Sequence, residues 1–293
     1  MSSSAERQAY FDELITSATS TLHSDEVLLA NLAGEATDFI RLNNNEVRQA
    51  GSVDQQKLSV DLIAGRRHVG GTINLTGDTA MDNARVGALL GQLRAQRRLV
   101  PDDPYLLYNT DPTSTDNVKT GEIPSPETAL ADIRAAGQGK DLVGIYASGD
   151  TFHGFANSLG QRNWFQSSTF NLDWCFYLQA DKAAKNLYAG FDWNDNAFAR
   201  KVDWSSQQLT ALAREPKVLG PGDYRTYLAP RAMEEVMSLL SHYGAFGCRA
   251  QETKQTPFLR MLASDAHLSQ QVTISEDTAG GVAPNFQSAG FIR

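Results

Sequence analysis

The sequence predicts an α+β fold with an N-terminal antiparallel sheet and flanking helices, a second aromatic-rich sheet region, and the start of a mostly β C-terminal domain. Three observations lead there. Apolar residues recur at helical spacing over the first stretch of chain; from Glu26 to Thr76 they alternate in short runs between turn formers; and Phe152 to Trp193 concentrates aromatics at strand spacing. With 293 residues, 41% of them hydrophobic, the chain is long enough for two packed units.

The first helix is expected over Ala5–Leu22, because Tyr10, Phe11, Leu14, Ile15, Ala18 and Leu22 fall on one stripe. A meander of four or five strands comes next, its runs separated by Gly34, Asn43–Asn45, Gly51–Ser52 and Gly65–Arg67. Asp78 or Thr79 can cap the next helix, which runs to about Arg98 and turns Met81, Val86, Leu89, Leu90 and Leu93 to one side. Residues 1–100 thus form an α+β domain. Pro101, Pro104, Pro112 and Pro124, among many Asp, Thr and Ser residues, make 101–125 a linker or a draped surface loop. Residues 126–220 read as a second α+β region: a helix over Pro126–Ala136, a strand over Leu142–Tyr146, the aromatic stretch, and helical spacing over Ser205–Ala213. Pro216, Gly220, Pro221 and Gly222 mark a boundary. Residues 221–293 then begin with a strand at Tyr224–Leu228 and a helix from Pro230 to about His242.

A net charge of −8 with scattered Lys and Arg lacks the basic footprint that gathers phosphate, so nucleic acid is not expected as a ligand. No run approaches the roughly 20 apolar residues of a membrane span. Cys175 and Cys248 form no spaced framework and read as two independent buried thiols in a reducing compartment, which points to the cytoplasm and to no disulfide.

The search for a self-sufficient active site returns negatives. There is no Gly-x-Ser-x-Gly elbow, Walker loop, dinucleotide fingerprint or His-Glu-x-x-His. Gly137–Asp141 reads as a helix-terminating turn. The histidines His23, His68, His153, His242 and His267 share no spacing that would put two imidazoles on one helix face. Glu234 and Glu235 diverge by about 100° on their helix, a solvated pair rather than a paired general base. His242 sits where an imidazolium meets the C-terminal end of the helix dipole, and Ala156–Gly160 reads as a hairpin turn.

Four segments carry a family resemblance in collinear order. They are Phe39–Gly51 followed by a strand and Gly65; Ala84–Leu90 with Val100–Pro104; Ala156–Gly160; and Tyr224–Leu240. Together they resemble the TldD/TldE (PmbA) metalloprotease family. In its catalytic branch the last helix carries His-Glu-x-x-x-His, two zinc ligands and a glutamate that activates water. Counted from Pro230, the first His and the Glu fall on Ser238 and Leu239 here, with His242 matched to the second His. Leucine accepts no proton, and one His builds no open tetrahedral zinc site. The resemblance therefore implies the TldE/PmbA-like, non-catalytic branch. On that reading this chain contributes no catalytic and no metal-binding residue, and zinc resides in a TldD-like partner subunit. The heterodimer acts on unfolded or leader peptides. Family members are longer, so the C-terminal domain is expected to be incomplete, in a fragment or in a shortened relative. Two other functions are compatible with the residues: a stand-alone peptide- or ligand-binding module using the aromatic sheet as its face, and an independent metal-dependent hydrolase assembled from distant residues.

Overall fold

A computed structural model of the chain describes residues 3–241 and 246–293. The chain divides into two units, one made of Met1–Ala213 with Thr278–Arg293, the other of Arg214–Asp277. The first unit holds α1 (Ser4–Ser20), β1 (Glu26–Asn43), β2 (Glu46–Ala64), β3 (Arg67–Asn74), α2 (Thr79–Arg97), β4 (Thr115–Lys119), α3 (Pro126–Ala136), β5 (Asp141–Asn157), β6 (Arg162–Gln179), β7 (Lys182–Gly190) and α4 (Asp195–Leu212). Its strands form one seven-stranded sheet in the order β3-β2-β1-β5-β6-β4, with β7 sharing the outer flank of β6. All pairs are antiparallel except β4 with β6. The two sheet regions expected from the sequence are therefore halves of one sheet, joined where β1 pairs with β5.

Helices form where local chemistry closes their ends. Ser3 and Glu6 make a reciprocal capping box for α1, Asp78 accepts the Met81 amide to start α2, and Ser125 caps α3 just before Pro126. α4 begins earlier than the expected Ser205, because Asn194 accepts the Ala197 amide and opens a helix at Asp195.

The register puts the even-numbered residues of β1, β5 and β6 on one face, and all four helices pack there. One half is covered by α1 and α2, whose Phe11, Leu14, Ile15, Val86 and Leu90 meet Leu28, Leu32, Leu58 and Phe152. The other half is covered by α3 and α4, whose Ile133 and Phe198 meet Tyr146, Phe170, Trp174 and Tyr188. Each large apolar side chain so buried stabilises by roughly 1.5–3 kcal/mol. Within the first unit the opposite face is covered at one end, where Phe286, Leu106 and Tyr108 lie over Leu29, Ile63, Phe155 and Phe165.

Several expectations change in detail. The N-terminal meander has three strands, and β1 and β2 run for 18 and 19 residues. Gly34 and Gly51 do not turn the chain; both lie inside strands. A Cβ on Gly34 would come within 2.3 Å of the Phe152 ring, so the glycine exists to let that ring pass. The turns fall instead at Asn44–Asn45, whose φ values of 50° and 59° suit a two-residue hairpin, and at Gly65 with φ 60°. In α2, Met81 is 55% exposed and its expected inward place belongs to Asp82, which is fully buried. The 101–125 stretch is draped as expected, and it also supplies β4 and the covering residues Leu106 and Tyr108.

The second unit holds α5 (Pro230–Ser241), α6 (Cys248–Glu252) and α7 (Leu259–Leu262), with no strand among its described residues. The strand expected at Tyr224–Leu228 is irregular and exposed chain, since alternation alone makes no strand without a partner to pair with. No helix among the described residues is long and apolar enough to cross a membrane.

Candidate functional site

The opposite face of this sheet carries a cavity of about 560 Å³ over the middle of β1, β2 and β5. Register dictates its floor: Ala33 lies between Lys57 and His153, and Glu35 between Gln55 and Thr151. Asn74 and Leu75 close it where β3 leaves the edge of β2. Glu35 is held by neutral donors, Gln55 Nε2 at 2.6 Å and Thr37 Oγ1 at 3.0 Å. Burial, and then the charge of Lys57, push the His153 imidazole below its ordinary range, so the ring is neutral near pH 7. Such a floor offers hydrogen-bond donors and acceptors of both kinds to a polar segment of chain. Among the described residues no group of three or more His, Cys, Asp or Glu could hold a metal ion.

Residues singled out from the sequence are scattered. Ser238 and Leu239 lie on α5, and Leu239 is 70% exposed. His242 lies outside the described residues. Its match also needs correction, since His-Glu-x-x-x-His sets the second His five places after the first, at Tyr243. Glu234 and Glu235 are a solvated pair, both accepting from the Arg231 guanidinium at 3.0 and 3.1 Å. Gly137 caps α3, as expected of a helix-terminating turn. The Ala156–Gly160 tract forms the β5–β6 hairpin turn, where Asn157 Oδ1 accepts the amides of Leu159 and Gln161. The thiols are not both buried: Cys175 is half-buried and Cys248 exposed. A helix as short as α6, in a unit with no strand among its described residues, has little interior in which to hide a side chain.

The aromatic stretch packs inward. Trp164, Phe165, Phe170, Trp174 and Phe176 are all at most 2% exposed. Phe170, Tyr188, Trp193 and Phe198 form a connected aromatic cluster with centroids 4.9–5.8 Å apart. Their burial favours core packing over a binding face, although Tyr177 in the same stretch is exposed.

Sequence reasoning missed several polar clusters, among them those of Asp82 and His68. Asp82, buried under α1, accepts from Tyr10 Oη, Thr76 N, Thr76 Oγ1 and Gly77 N at 2.6–3.0 Å. Burial pushes its carboxyl up, and these bonds outweigh it and hold the group below the usual carboxylate range. His68 joins β3 to the 101–104 loop, with Nδ1 2.9 Å from Asp61 and Nε2 3.1 Å from Asp103. Burial lowers this imidazole, but the two carboxylates raise it above its ordinary value. The Asp78-x-x-x-Asp82 spacing beside Thr76 is the only trace of the first cluster in the sequence.

No protein-family model matches the chain, and no curated protein does. Solved structures do. A TldE from Thermococcus kodakarensis superposes over 85% of this chain with a TM-score of 0.58 at 14% identity. The chain has a TldE-like fold. A proposed DNA gyrase modulator from Bacteroides thetaiotaomicron VPI-5482 covers 98% of the chain (TM-score 0.69, 14% identity), and one from Thermotoga maritima MSB8 covers 86% (TM-score 0.57, 10% identity). The chain spans 57%, 68% and 58% of those three proteins respectively.

Proposed function

We propose that this chain is a TldE/PmbA-like subunit without catalytic residues of its own, shaping a peptide-binding surface for a zinc-bearing TldD-like partner in the cytoplasm. The reading is supported by a TldE-like fold over most of the chain, together with Ser238 and Leu239 where a count from Pro230 expects the first His and the Glu. The residues here do not suit a zinc ion, because neither of those two side chains supplies an imidazole or a carboxylate. The metal and the cutting of unfolded or leader peptides belong to the partner on this reading. Two of the similar structures are described as proposed modulators of DNA gyrase, and a charge of −8 gives no footprint for direct contact with DNA.

Co-purification of the chain from its native extract, with mass spectrometry of the proteins that accompany it, tests the reading. Recovery of a His-Glu-x-x-x-His protein, and casein cleavage by the mixture that a chelator abolishes, is expected. Zinc-dependent cleavage by the purified chain alone would replace it with the independent-hydrolase reading; a chain recovered without such a partner would also overturn it.

A further inference from the structure

The register leaves one sheet edge open. β2 pairs along its whole length with β1 on its inner side, but β3 covers only Lys57–Ala64 on the outer side. Beside Glu46–Gln56 no further strand is present among the described residues, and the side chains are exposed or half-buried. At the end of this stretch the Leu75 amide donates to the Gln56 carbonyl, as β3 gives way to α2. Alternate residues from Glu46 to Gln55 therefore turn backbone N–H and C=O groups to solvent along ~35 Å of strand. The cavity of Glu35, Gln55, Lys57 and His153 begins where this edge meets the end of β3.

We propose that Glu46–Gln56 captures an extended segment of an unfolded peptide by β-addition, in line with β3, and that one side chain of the captured strand enters the adjoining polar cavity. This rests on the peptide-binding reading above and names its place. Only another extended backbone matches a row of alternating donors and acceptors, and a neighbouring pocket reads alternate side chains. The edge is poorly made for a second copy of the sheet. Arg48 is an extra residue opposite the Arg41/Leu42 step, and Glu46, Arg48 and Asp54 break the row with charge, devices that block rigid edge-to-edge pairing. A flexible single strand adapts to the bulge.

The test uses the pure chain and fluorescein-labelled casein as an unfolded probe, read by anisotropy and by amide hydrogen exchange. Binding with slowed exchange confined to Glu46–Gln56 is expected. Ser52→Pro and Val53→Pro are compared because, on neighbouring residues, one removes an outward amide and the other an inward one. The variant that keeps the wild-type melting temperature should bind at least about tenfold more weakly. Should both prolines unfold the sheet, the exchange pattern of the wild type decides. Protection elsewhere, no protection, or protection without casein that grows with protein concentration alongside a doubled mass would overturn the proposal, the last in favour of self-pairing. Because no partner subunit is used, failure here leaves the partner reading standing, and failure to find a partner leaves this edge standing.

Discussion

Asp82 gathers five hydrogen bonds at the foot of α2, the fifth from Arg85, with no exposed surface. Truncation to Ala strands the half-buried Tyr10 hydroxyl and the Thr76 and Gly77 amides, and Asp82→Ala should lose about 2 kcal/mol in urea denaturation. Glu26 gives a pH signature. Burial pushes its carboxyl up, but Arg94, with Arg97 beside it, outweighs this and holds it down at about 2. A depressed carboxylate contributes stability above its unfolded value and loses it as pH falls through the folded one. The stability gap between the wild type and Glu26→Gln should thus be widest above pH 4.5 and close toward pH 2 in melts taken across that range. Neither residue was legible beforehand. Composition and periodicity rank acidic side chains as surface, and only tertiary contact reveals that Arg94 and Tyr10 reach them. The Asp78 cap and the Ala156–Gly160 turn were legible, because their partners lie within a few residues.

Among the elements, glycines misled, while alternation held wherever a strand found a partner, which Tyr224–Leu228 did not. Gly34 and Gly51 read as turns, yet they sit within the longest strands because large rings need their space, Phe152 at the first and Phe39 at the second. Gly34→Ala should cost about 1–3 kcal/mol by forcing the Phe152 ring to shift, measurable as a lower melting temperature. The loop after α2 is held by His68 between Asp61 and Asp103, by Arg67 to Asp102 and by the Asp103 amide to Arg66 O. The raised imidazole contributes fully below its ordinary value near 6.5 and loses that contribution as pH climbs through its folded value. Exchange of the Asp103 amide, corrected for intrinsic chemistry, should therefore accelerate as pH rises above 6.5, and His68→Ala should flatten that dependence. No sequence pattern links residues so far apart in a draped loop.

On the scale of the molecule, the order of helices and strands was readable, while the union of both sheet regions depended on the β1–β5 pairing, a contact between strands more than a hundred residues apart. The stretch 214–228 is exposed throughout and free of regular structure. Brief trypsin treatment should nick at Lys217 or Arg225 while far-UV circular dichroism of the sheet persists. The division into units has a temporal side. Residues 278–293 belong with 1–213, and Phe286 closes the cluster of Leu29, Ile63, Phe155 and Phe165. Translation must pass through all of 214–277 before that ring emerges, on the order of several seconds at ribosomal rates. During that interval the nascent sheet has only Leu106 and Tyr108 over this apolar patch, so chaperone capture and yield on rapid overexpression should respond to how late Phe286 arrives.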